Sequence, residues 1–102
     1  MATLNVIHKR DTHKVAKDGH VVAYVGRPTP LGNPFAIGRD GTREQVIEKY
    51  RDWFKQEYRP EVEAQLTHIR YLMDHHKHVH LSCWCAPQEC HASVIIEHLE
   101  KS

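Results

Sequence analysis

Between Gly26 and Gly41 the chain carries four glycines and three prolines in sixteen residues, and no other stretch limits the fold so tightly. Glycine weakens helices and strands through backbone entropy, and proline has no N–H to give to a helical turn or a sheet ladder. The stretch is therefore a loop, and regular structure has to come from its flanks. On the N-terminal side, Thr3-Leu4-Asn5-Val6-Ile7-His8 reads as a first strand and Val21-Val22-Ala23-Tyr24-Val25 as a second. The second is continuously apolar, the pattern of a strand covered on both faces. Lys9 to Gly19, between them, is polar and basic and reads as a surface excursion.

On the C-terminal side the pattern turns helical. Thr42-Arg43-Glu44-Gln45 fits a capping box, in which the Thr42 hydroxyl and the Gln45 amide satisfy each other's exposed backbone donors. Val46, Ile47, Tyr50, Trp53 and Phe54 follow at helical spacing, so this helix has an apolar, aromatic face, and Trp53 and Phe54 are expected in the core with Val46. Pro60 can open a second helix in its first turn, where its missing N–H costs nothing. Val62, Leu66, Ile69 and Met73 lie on one stripe of it, and Asp74-His75-His76-Lys77 ends it. Val79 to Cys85 reads as a third strand, with His78 and His80 beside solvent, and Cys90 or His91 begins a last helix with Val94, Ile95 and Leu99 inward. The order β-β-α-α-β-α over residues 1–102 points to a single α/β domain: a small open Rossmann-like sheet with packed helices.

A chain of 102 residues can build such a core without disulfides or metal. Its three cysteines cannot all pair with one another, and Cys83 and Cys85 are separated by a single residue, so reduced thiols are expected. The longest apolar run, Val21 to Val25, is far short of the ~20 residues of a membrane span. The opening Met1-Ala2-Thr3-Leu4-Asn5 lacks the basic and apolar segments of a secretory signal, so a cytoplasmic location is expected. Net charge is +1 and pI 7.8, below a typical nucleic-acid binder. Charge is uneven, however, with seven Lys/Arg and three Asp/Glu in residues 1–43 and seven and ten in residues 44–102. The basic part holds the loop, a modest pointer to an anionic partner.

Two segments carry candidate chemistry. In the third strand, Cys83 and Cys85 share one face, while Ser82 and Trp84 take the other. Ala86 to Glu89 then turn the chain, and Cys90-His91 stands at a helix start, where unpaired N–H groups attract anions and the local field lowers the pKa of a thiol. Cys90 is thus a candidate nucleophile with His91 as its base. Cys83 and Cys85 are either pocket groups or small buried hydrophobes. Cys83, Cys85, Cys90 and His91 are also four zinc-ligand types within nine residues, although Cys-x-Cys and an adjacent Cys-His pair fit common zinc sites poorly. In the loop, Gly26 and Gly32 allow close backbone approach, and Arg27 is placed to hold a phosphate or carboxylate. Asn33 can either read a polar edge of a ligand or cap a rigid turn, and Phe35 is expected to tuck into the core.

Tyr24-Val25-Gly26-Arg27, Leu31-Gly32-Asn33-Pro34-Phe35, Tyr50, Cys83-Trp84-Cys85-Ala86-Pro87 and Cys90-His91 together resemble a bacterial and phage family called domain of unknown function 4326. The resemblance spans about the whole chain and implies no particular reaction. The Cys-rich strand and the Cys-His helix start are also similar to a second family of Rossmann-like proteins, which by analogy supports the α/β reading. Ala92 stands where the first family is expected to carry Gly, which narrows the space at the helix start.

Three functions use these residues. One is an α/β domain that binds or processes a nucleotide, with Arg27 and the Cys90-His91 turn on phosphate and the Gly32-Asn33 loop near base or sugar, no cofactor being required. The second is a non-catalytic protein that sequesters such a ligand. The third is a zinc-stabilised interaction module. Paired catalytic carboxylates, a Ser-His-Asp set and a Walker-type loop are not apparent, so thiols are the candidate nucleophiles. With no basic recognition helix, sequence-specific DNA binding is disfavoured. The two motifs are expected to share one pocket, with Arg27 beside the cysteines and His91.

Overall fold

The computed structural model describes residues 2–15, 17–56, 59–84 and 90–101. Strands β1 (Thr3–His8), β2 (His20–Tyr24) and β3 (His78–Cys83) form a parallel sheet in the order β1-β3-β2. Thr3 and His20 both sit opposite His78, and His8 sits opposite Cys83, so the three strands start level and point the same way. A 3₁₀ segment (Lys9–Val15) follows β1, and helices α1 (Arg43–Phe54) and α2 (Pro60–His75) connect β2 to β3. Helix α3 (Ala92–Lys101) closes the order. The α/β class is as read from the sequence, with the 3₁₀ segment added.

The strand order decides which elements cover which face. From β1 to β2 the chain moves two places across the sheet, and from β2 to β3 it moves one place back. Right-handed connections in opposite directions lie on opposite faces. The 3₁₀ segment, which touches all three strands, is therefore separated by the sheet from α1 and α2. Val79, Leu81 and Cys83 face the helices and join Ile47, Tyr50, Leu66, Ile69, Val94, Ile95 and Leu99 in one core. His80 and Ser82 face the other way and are buried as well.

This corrects the reading of the second strand. The continuously apolar strand is β2, at the sheet edge, where His20, Val21, Val22 and Tyr24 are only half-buried. The strand covered on both faces is β3, whose sequence alternates histidine with apolar residues. Apolar density reports what a strand could bury, whereas the crossovers decide which strand is central. His80, expected beside solvent, is 7% exposed because β3 is central. Its Nε2 lies 3.0 Å from His20 Nδ1, and its own Nδ1 is buried with no hydrogen-bond partner among the described residues.

The helices follow their local signals closely. Thr42 Oγ1 accepts from Gln45 N–H and Gln45 Oε1 accepts from Thr42 N–H, at 3.2 and 2.8 Å, which is the capping box. Pro60 occupies the first turn of α2, and Val62, Leu66, Ile69 and Leu72 form its buried stripe. Leu72 thus takes the place expected for Met73, which is half-buried. Trp53 and Phe54 lie against the core but are also only half-buried, and Arg59 stacks over Trp53 at 3.9 Å. Helix α3 begins at Ala92, after Cys90-His91. No described helix is long and apolar enough to cross a membrane.

Candidate functional site

Parallel strands that start level also end level, and the crevice beyond their carboxyl ends is where open α/β sheets receive ligands. Here that crevice is a pocket of about 520 Å³, within the ~300–1,000 Å³ typical of small-molecule sites. Tyr24 and Gly26 lie at the end of β2, and Cys83 and Trp84 at the end of β3. The loop adds Arg27, Asn33, Phe35, Ala36 and Ile37, the first turns of α1 add Arg43, Val46 and Ile47, and the turn before α3 adds Cys90 and His91.

The loop is held from below by side chains of α1 and α2. Leu31 N–H donates to Gln65 Oε1 at 2.9 Å, and Gln65 Nε2 donates to the Tyr24 carbonyl at 3.2 Å, which ties the loop to the end of β2. Tyr50, fully buried, donates its hydroxyl to the Leu31 carbonyl at 2.8 Å. Burial raises the Tyr50 pKa, so the donor is kept protonated. Gly32 does not line the pocket. A Cβ there would come within 2.9 Å of the Arg27 backbone, so glycine lets the two limbs of the loop close on each other. Asn33 Oδ1 accepts from Phe35 N–H at 2.9 Å, the rigid-turn role, while the residue also lines the pocket. Phe35 is half-buried and on the pocket wall, not wholly in the core.

The far part of the loop is organised by Asp40. Its carboxylate accepts from Ala36 N–H and Arg39 Nε at 2.8 and 2.9 Å, and Lys49 Nζ donates to its carbonyl at 2.7 Å. The Arg39 and Ala36 hydrogen bonds hold the Asp40 carboxyl below its ordinary pKa. Ala36 and Ile37 are thereby set on the pocket wall by ionic and backbone contacts outside it.

Among the described lining residues are two arginines and neither aspartate nor glutamate. Arg27 is exposed and forms no ion pair among the described residues. Arg43 is the first residue of α1 and places a second guanidinium-bearing side chain on the pocket wall. At the rim, Trp84 is 61% exposed; its indole N–H donates to the Tyr24 hydroxyl at 3.0 Å, which in turn donates to the Arg27 carbonyl at 2.5 Å. The lining thus offers positive charge at one place and exposed aromatic surface at another.

At the floor, Cys83 Sγ lies 3.1 Å from Cys90 Sγ, a thiol contact and not the ~2.05 Å of a disulfide. His91 Nε2 is 2.8 Å from the Val25 carbonyl. A carbonyl only accepts, so Nε2 carries the hydrogen, and the lone pair of the neutral ring is on Nδ1. The edge of the ring is packed on Tyr50 at 5.0 Å.

Of the residues singled out from sequence, Gly26, Arg27, Asn33, Cys83, Cys90 and His91 line this one pocket. Cys85 and the turn Ala86 to Glu89 lie outside the described residues. Strand alternation predicts Trp84 on the face away from Cys83, yet both line the pocket because β3 ends at Cys83 and alternation ends with it. Val46, expected only in the core, is buried and also lines the pocket. Tyr24, Arg43 and Trp84 were missed as pocket residues. Arg43 had a legible signal in its basic charge at a capped helix start, whereas the Tyr24–Trp84 pair arises from adjacent strands and had none.

A family model described as Domain of unknown function (DUF4326) matches residues 7–101. No curated protein and no solved structure shows a significant match to the chain.

Proposed function

The chain belongs to the DUF4326 family, and we propose that its pocket binds a small anionic ligand of the nucleotide class. The observation that carries this reading is the pairing of Arg27 and Arg43 with exposed aromatic surface in a pocket whose described lining has no carboxylate. Guanidinium groups suit the forked oxygens of a phosphate. Trp84 and Phe35 present ring faces or edges to a planar base, and Asn33 presents a polar group beside them. A free phosphate would use the arginines alone, whereas a nucleotide would use both halves.

Turnover in this pocket would draw on Cys90 as nucleophile and on His91, through Nδ1, as base. Acid–base hydrolysis by paired carboxylates does not fit the described lining. A zinc-stabilised module would draw on Cys83, Cys85, Cys90 and His91, of which Cys85 lies outside the described residues. The anion reading uses the two arginines, which a zinc module leaves unexplained.

Calorimetric titration of the full chain with inorganic phosphate, nucleoside monophosphates and nucleosides tests the proposal. Binding of a monophosphate more tightly than either of its parts is expected, with loss of about tenfold or more in Arg27→Ala and unchanged circular dichroism, about the 1.5–3 kcal/mol of a charged hydrogen bond. A panel without binding, or equal affinities in wild type and Arg27→Ala, would sink it.

A further inference from the structure

We propose that Cys83 and Cys90 form a site of reversible oxidation, closed to a disulfide by hydroperoxides that enter the same pocket. This goes beyond ligand binding and does not depend on which anion the pocket takes.

Cys83 is the last residue of the central strand and Cys90 stands two residues before α3, so two different elements bring the sulfurs together. Two cysteines serving only as small hydrophobes need no mutual contact, yet these approach to 3.1 Å, about 1 Å from bonding distance. A side-chain adjustment of that size needs no rearrangement of sheet or helix. Both sulfur-bearing residues line the pocket although they are otherwise buried, so a molecule as small as a peroxide meets them from the cavity side. Arg27 and Arg43 line the same cavity.

Cys90 is 5% exposed and Cys83 1%, so Cys90 is the first to react. Its thiolate attacks one oxygen of the peroxide, the O–O bond breaks, and the leaving hydroxide takes a proton to become water, which leaves Cys90 as a sulfenic acid. Cys83, giving up its proton, attacks the Cys90 sulfur. The S–S bond forms as the S–O bond breaks, and hydroxide leaves with that proton as a second water. Two thiols have lost two electrons in all, and one hydrogen peroxide has become two waters. A small dithiol reverses the change by exchange through a mixed disulfide.

The test treats the full-length chain, first reduced and desalted, with hydrogen peroxide, and reads intact mass and a non-reducing peptide map. Wild type and Cys85→Ser are expected to lose about two mass units, to show a Cys83–Cys90 cross-link, and to recover on adding dithiothreitol. Cys83→Ser should lose no mass and should instead trap a sulfenic acid that dimedone labels at Cys90. A parallel oxidation in urea guards against misfolded variants, since the same three thiols without the fold should give mixed connectivities. The proposal is overturned if Cys85→Ser fails to form the link, if wild type goes to sulfinic acid without cross-linking, or if the folded and urea-treated chains give the same mixture.

Discussion

Replacing Tyr50 by Phe removes a single oxygen from the middle of the structure and so isolates what holds the loop. The ring is fully buried, and its contacts with Trp53, Phe54 and His91, at centroid distances of 5.4, 5.8 and 5.0 Å, are all made by carbon that Phe retains. What is lost is the 2.8 Å hydrogen bond to the Leu31 carbonyl, which is itself in a fully buried residue. Leaving a buried acceptor without its donor costs about 1–3 kcal/mol, so a loss of about 2 kcal/mol and a fall in Tm of roughly 8 °C are expected. Urea unfolding followed by tryptophan fluorescence measures it, with the slope against denaturant unchanged. The titration of Tyr50 adds a second readout. Its folded pKa lies above the ordinary value of 10, so its share of stability is complete below pH 10 and is lost as pH rises further, and Tyr50→Phe removes that share. A loss under about 0.5 kcal/mol would refute the account, because it would mean that water or another donor serves the Leu31 carbonyl.

The buried histidines set a slope on the acid side. Burial, with His20 and His78 nearby, holds His80 below the ordinary imidazole value of 6.5, so the neutral ring is favoured by folding and stability should fall as pH drops below about 6.5. Chemical denaturation from pH 7.5 to 5 should show this, and an unchanged slope in His80→Phe would disprove His80 as its source. Trp53→Ala should cost about 2 kcal/mol by urea unfolding, less than the ~3–5 of a fully buried aromatic, because the ring is half-buried; a value above about 4 would contradict that burial. Thr42→Ala should cost about 1 kcal/mol through loss of the capping box, and Thr42→Ser should recover most of it.

What could be read from sequence was whatever depends on near neighbours. The Thr42–Gln45 cap, Pro60 at a helix start, Val62, Leu66 and Ile69 on the stripe of α2 and the Gly/Pro density of the loop each act within a few residues, and each is found where its local signal lies. The pairing of the two motifs was also legible, because parallel strands feeding helices leave their carboxyl ends at one edge. The identity of the central strand was not. It depends on the crossovers past β3, and no local feature of Val21 to Val25 or of His78 to Cys83 carries that information. The burial of His80, the reach of Trp84 to Tyr24 and the placing of Arg43 on the pocket wall follow from the same arrangement. Sequence determined which residues could form elements and which had unusual chemistry. Tertiary structure decided which of them meet, because contact between distant segments depends on the direction and handedness of the connections as much as on the residues they join.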